Sequence, residues 1–287
     1  MNWPNHAAYA FVVTIDVDGD LPLLAKHPGN VERMKSRSAG LYGPEVGVPR
    51  LLRVMSDLGI VAHWFTPGEI ARRYPRMIRE VHESGQRIGV HGDRHLDFGR
   101  LDFSEQVEEI VAGRAAIQEI IGQEPQGFRT PAGEWAPGFP EAMDRAGFTW
   151  SSSLASDELP FPLTGSGLIE VPFRYELEDQ QYLAYNLDPP FPPGLSRITP
   201  LESVADNWWC EVRGAERFGT LVHLRLNAEV MGTPGRARML HRFLAELAGR
   251  GTAWFTTGDE VAAHSRSAGA DPDHPYAMFM KLAAENR

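Results

Sequence analysis

Residues 10–20 read Ala10-Phe11-Val12-Val13-Thr14-Ile15-Asp16-Val17-Asp18-Gly19-Asp20. The run from Ala10 to Ile15 is apolar and β-branched almost throughout, the pattern of a strand buried on both faces, as in a parallel sheet covered by helices. It ends in three acids at alternate positions. Carboxylates directly behind a buried strand are costly unless a cation meets them. The segment is therefore either a solvated Asp-Gly turn or a site where one carboxylate ligates a metal and another serves as general base.

On the C-terminal side, the same alternation of strand and helix patterns recurs about seven times. Residues 21–43 are rich in Gly, Pro, Ser and basic side chains without a clean period, and read as a long excursion over the mouth of a site. Leu51, Leu52, Met55 and Leu58 recur at helical spacing up to Gly59, a natural C-terminal stop. A second strand spans 60–65, and a helix follows from Pro67-Gly68 to Val81, closed by Gly85. A third strand, 87–90, delivers His91. Ser104 serves as N-cap for the next helix, with Val107, Ile110 and Ile117 inside. Short strands are expected at 127–131, 148–154 and 169–173, and an irregular, lid-like segment at 176–200. Helices at 201–218 and 236–247 flank a strand at 220–226, and a late strand at 253–256 precedes a last short helix. Such alternation implies right-handed crossovers and one α/β domain, in which functional groups gather at the C-terminal ends of the strands. The tail after Ser265 carries a short helical pattern that suits an oligomer contact.

The other informative stretch is His91-Gly92-Asp93-Arg94-His95. Histidines four apart can point the same way from one helical turn or from a tight loop leaving a strand. Imidazole is a common ligand for zinc-like ions. Asp18, His91 and His95 make a mixed oxygen and nitrogen set that leaves coordination positions open for water and substrate. An ion there lowers the pKa of water and polarises a carbonyl. Asp16 is placed to take the water's proton, and Arg129, at the end of a later strand, to hold Asp16 ionised.

The bulk properties narrow the function classes. The net charge is −10, from 28 basic and 38 acidic side chains, which argues against nucleic acid and anionic membranes as partners. No run of about 18 apolar residues is present, so no membrane span is expected. Cys210 stands alone, which excludes an internal disulfide framework and fits a reducing compartment. Residues 1–10 lack the basic and apolar regions of a secretory signal. Together these point to a cytoplasmic protein with a small-molecule substrate.

The ordered motifs resemble those of the polysaccharide deacetylase superfamily, carbohydrate esterase family 4, also called NodB-homology proteins. Thr14-Ile15-Asp16-Val17-Asp18-Gly19 resembles its first motif, His91-Gly92-Asp93-Arg94-His95 the second, Arg129-Thr130-Pro131-Ala132-Gly133 the third, and Phe148-Thr149-Trp150-Ser151-Ser152-Ser153 the fourth. The resemblance runs from about residue 10 to 264. With the Tyr42-Gly43 to Leu52 segment, it is nearest the intracellular branch of allantoinase-like enzymes, cyclic-imide hydrolases and an atypical peptidoglycan deacetylase. It implies a distorted (β/α)7 barrel at 10–265, between an N-terminal extension (1–9) and a C-terminal tail (266–287). It also implies one divalent ion (zinc first, with Co, Mn, Ni or Fe as alternatives) on Asp18, His91 and His95, and a homotetramer.

Two departures bear on the chemistry. Ser151 stands where the family has an aspartate, and Asn227 where it has the histidine that acts as general acid. Asn cannot deliver a proton at neutral pH. Three readings stay open: His223, four residues earlier on the same strand, supplies the acid, the reaction needs none there, or the metal chemistry is lost. The expected site comprises Asp16, Arg129 and His223 as catalytic residues, with Asn227, Trp135 and Tyr42 against the substrate. The expected activity is metal-dependent hydrolysis of an amide, cyclic imide or N-acyl C–N bond. The alternatives are N-deacetylation of an amino sugar or glycan, and a catalytically impaired barrel that binds a ligand.

Overall fold

Strand β1 (Tyr9–Asp16) is buried at all eight positions because it is surrounded on every side. In the computed structural model, which describes residues 1–184 and 198–269, it pairs in parallel with β2 (His63–Thr66) through Thr14 to Asp16 and with β8 (Leu221–Asn227) along Ala10 to Asp16. Its lower half also pairs with β9 (Ala253–Thr256). The ring continues through β3 (Arg87–Val90), β4 (Gly127–Phe128), β5 (Trp150–Ser151) and β7 (Ile169–Glu170), with the antiparallel β6 (Phe161–Pro162) outside β7. Seven parallel strands, in the order β7-β5-β4-β3-β2-β1-β8, make a distorted (β/α)7 barrel. The gap between β7 and β8 is bridged by the chain after β7: Asp179 N–H donates to the Arg225 carbonyl at 3.1 Å, and Glu178 forms a parallel bridge with Arg225.

Alternation along β1 sorts the chemistry by height. Phe11, Val13, Ile15 and Val17 pack outward among the helices, while Ala10 and Val12 join Phe65, Trp150 and Val171 in a separate apolar plug. Thr14 and Asp16 continue that second face upward. The plug includes Trp3, whose ring lies 6.0 Å from Trp254, so the segment before β1 is packed against the last strand and helix.

Several boundaries differ from the sequence reading, each for a local reason. The stretch 21–43 is largely helical, with Leu21–Lys26, a 3-10 turn at Pro28–Glu32, and Met34–Tyr42. Met34–Tyr42 buries no residue, so no apolar period marks it. The helix after β2 is two helices, Gly68–Arg73 and Pro75–Glu83, because Pro75 cannot continue a helical hydrogen-bond ladder. The long helix Phe103–Ile121 is capped by Asp102 and not Ser104, with Glu105 closing a capping box. Strands β4, β5 and β7 shrink to two residues each. The proposed lid contains a helical turn, Gln180–Leu183, and its remainder at 185–197 lies outside the described residues, as does the tail from 270.

Candidate active site and metal centre

Asp18 leaves the top of β1, and His91 leaves β3. The loop to His95 turns through two left-handed residues, Gly92 (φ 73°) and His95 itself (φ 58°). Positive φ in a non-glycine residue is uncommon and persists where surroundings over-determine it. Here they do: buried Glu109, on the long helix, accepts from the backbone N–H of Asp93 and Arg94 at 3.1 and 2.9 Å and from Arg94 Nε at 2.8 Å. The loop is thus clamped in the conformation that turns His95 toward Asp18.

The three side chains converge. Asp18 Oδ1 lies 3.6 Å from His91 Nε2, and Asp18 Oδ2 lies 3.6 Å from His95 Nε2. One ligand atom from each residue falls within 4.8 Å of the others. These gaps exceed hydrogen bonds and approach the ~3.3 Å between atoms that share a tetrahedral ion at ~2.0–2.1 Å. Asp18 Oδ1 is sealed from water and has no hydrogen-bond partner. His91 Nδ1 donates to the Arg129 carbonyl at 2.8 Å, which leaves the Nε2 lone pair facing Asp18. Burial pushes the His91 pKa down to about 3, so the ring is neutral as a ligand must be. The donor set fits a zinc-like divalent ion.

Two residues below, Asp16 has the opposite surroundings. Arg129 Nη1 donates to its Oδ1 at 2.5 Å and Arg225 Nε to its Oδ2 at 2.9 Å. Burial alone would raise its pKa, but the two guanidiniums outweigh it and hold the carboxyl well below the usual range. Arg129 is itself fixed by Thr14 Oγ1 (3.0 Å), Ser152 Oγ (2.9 Å) and the Ser152 carbonyl (3.0 Å), and lies over the Phe65 ring. Arg225 was not foreseen. It sits between His223 and Asn227 on β8, at the period-two position that points all three into the barrel.

The remaining expected residues divide. Trp135 lines a cavity of about 840 Å³ together with Asp18, His91, His95, Arg129, Phe173, Glu178 and Arg225. Asn227 is beside the centre, donating from Nδ2 to Asp18 Oδ2 at 3.1 Å. His223 is not in the cavity wall. Its Nδ1 donates to the Pro172 carbonyl (3.0 Å), its Nε2 accepts from Arg129 and Thr14 (3.2 and 3.1 Å), and burial pushes it down to about 3. Tyr42 also lies outside the cavity wall: its hydroxyl accepts from Arg50 at 2.8 Å and donates to the Gly232 carbonyl at 3.4 Å. At the fourth motif, Ser151 pairs in register with Glu170, so a carboxyl is present one strand away. Glu170 accepts from the Ser153 and Leu154 N–H groups at 2.6 and 2.8 Å, and burial pushes it up to about 7.

A polysaccharide deacetylase family model matches residues 42–151, across the second and third motifs. The structure superposes on a Mycobacterium smegmatis protein assigned by its name to the polysaccharide deacetylases, with TM-score 0.89, 29% identity and 95% of both chains covered. These matches support membership of the polysaccharide deacetylase, or NodB-homology, superfamily. A peptidoglycan deacetylase-like protein of Gibberella zeae is 25% identical over 70% of this chain, and the match spans 58% of that relative's length. The allantoinase Puue shares the fold, with TM-score 0.79 at 19% identity over 96% of this chain and 94% of that one.

Proposed function

We propose that this superfamily member is a metal-dependent hydrolase of a C–N bond other than a peptide bond, acting on a small soluble amide, imide or N-acyl compound. The observation that supports it most is the convergence of His91 and His95 on the Asp18 carboxylate, one oxygen of which has no hydrogen-bond partner, directly above a clamped Asp16. Asp18, His91 and His95 would hold the ion, which when bound supplies Lewis acidity toward water and a carbonyl. Asp16, kept ionised by Arg129 and Arg225, receives the proton of the attacking water, since each carboxylate oxygen retains a lone pair beyond its guanidinium bond. Trp135 and Phe173 line the cavity beside the centre and offer apolar surface to the substrate.

The late step favours a particular leaving group. An amine must be protonated to depart, whereas a nitrogen conjugated to a second carbonyl leaves with its charge delocalised. Asn227 has no proton to give at neutral pH, and His223 lies a layer below the cavity wall with both ring nitrogens engaged. This supports a cyclic imide or ureide over an N-acetylated sugar, and the fold shared with an allantoinase is consistent with it. The same reading takes a small molecule as partner, a homotetramer as the assembly and the cytoplasm as the compartment. Among the described residues no helix is long and apolar enough to cross a membrane.

The test is elemental analysis of protein purified without chelator, coupled to turnover of a panel of cyclic imides, ureides and N-acetyl amines. About one zinc-like ion per chain and hydrolysis of an imide or ureide are expected, and His91→Ala should lose ion and activity together with little loss of fold. Turnover confined to N-acetyl sugars would replace the substrate class. A metal-free, inert protein would make the barrel a ligand-binding module.

A further inference from the structure

Asn227 is held by neighbours that define both ends of its amide. Its Nδ2 donates to Asp18 Oδ2 at 3.1 Å, and its Oδ1 accepts from the Glu229 backbone N–H at 3.1 Å. A carboxylate only accepts and a backbone N–H only donates, so the orientation of the amide follows from its partners. Asp179 fixes the backbone from behind, taking the Asn227 N–H on both carboxyl oxygens at 3.2 and 3.0 Å.

Glu229 closes the circuit. Its Oε1 accepts from the N–H of Gly19, the residue after Asp18, at 2.6 Å. Asp18 is therefore held twice, by its carboxylate through Asn227 and by its following peptide through Glu229. The Glu229 carboxyl lies flat against Gly43, where an added Cβ would run into it. Neither Asn227 nor Glu229 belongs to the ligand set, and neither is placed as base or acid in the reaction above.

We propose that Asn227 and Glu229 are positioning residues that pre-orient Asp18 as a metal ligand, so that this chain uses the position of the family's histidine for ligand geometry and not for proton delivery. The inference rests on the metal-centre reading above. Partners that fix a ligand's orientation typically contribute 10- to 100-fold to metal affinity.

The experiment is zinc affinity of the full chain by competition with a chromogenic chelator, beside the thermal midpoint of the metal-free protein. Asn227→Ala and Glu229→Ala should each weaken zinc about 10- to 100-fold. Glu229→Gln keeps an oxygen for the Gly19 N–H and should restore affinity near wild type. Gly43→Ala, on an element that carries no ligand, should push the Glu229 carboxyl aside and weaken zinc in the same direction. Unchanged affinity in both alanine variants overturns the proposal, as does a loss that Glu229→Gln does not rescue or that merely tracks the metal-free midpoint. A wild-type chain that binds no zinc defeats the metal-centre reading itself, and this inference with it. Wild-type binding with unmoved variants defeats the inference alone.

Discussion

Asp16 and Asp18 are two residues apart at the end of one strand, and both are buried, yet the protein treats their charges in opposite ways. Asp16 receives two guanidiniums, and its pKa falls well below the ordinary range. Asp18 receives two histidine rings and an amide, keeps one oxygen unpaired, and burial pushes it up to about 6. The first carboxylate is balanced by cations of the chain itself. The second is left short of one positive charge, which an external cation would supply.

Removing each carboxylate should therefore have opposite consequences. Asp16→Asn leaves Arg129 and Arg225 without their shared anion and should cost about 3–5 kcal/mol of stability. It should also slow turnover by ~10²–10⁴-fold while the metal stays bound. Denaturant unfolding, metal content and kcat together check this, and unimpaired turnover would mean another group is the base.

Asp18→Asn should do the reverse in the metal-free protein. Burial raises the folded pKa of Asp18 above its unfolded value near 3.8. Its stabilising contribution is thus full below that value and lost as pH rises through about 6. At neutral pH the amide variant, freed of that penalty, should be more stable than metal-free wild type by ~1–3 kcal/mol. The gap should close as pH falls from about 6 to about 4, and added zinc should reverse the order. Chelator-treated samples unfolded across that pH range would show it, and a pH-independent gap would remove the uncompensated charge as its cause. The smallest effect belongs to Tyr42→Phe, which loses only hydrogen bonds to Arg50 and Gly232. About 0.5–1.5 kcal/mol should be lost in thermal unfolding with turnover kept; a fall in kcat would return Tyr42 to the substrate site.

The same contrast explains what could be read in advance. The apolar run ending in Asp16 and Asp18 and the His91/His95 spacing are local patterns, and both lie where the strand reading puts them. Arg225 and Glu109 are invisible to motif reading because each acts through partners far along the chain, Asp16 in one case and the 92–95 loop in the other. Arg225 had one available signal, its alternation with His223 and Asn227 on a single strand. The helix Met34–Tyr42 buries nothing, so no apolar stripe in the sequence records it. His223 faces into the barrel as alternation requires, but sits a layer below the cavity, and depth along a strand is set by register, which sequence alone does not state.

Arg129 also sets an order in time. It joins residues from the first and the final third of the chain: its Nη2 is within hydrogen-bond reach of both Thr14 and His223, which are themselves 209 positions apart. A chain synthesised at 5–20 residues per second presents His223 some 10–40 s after Thr14. Through that interval the half-made barrel holds an arginine that has Asp16, Thr14 and Ser152 but not yet its full set of partners, so its burial is completed only when β8 arrives.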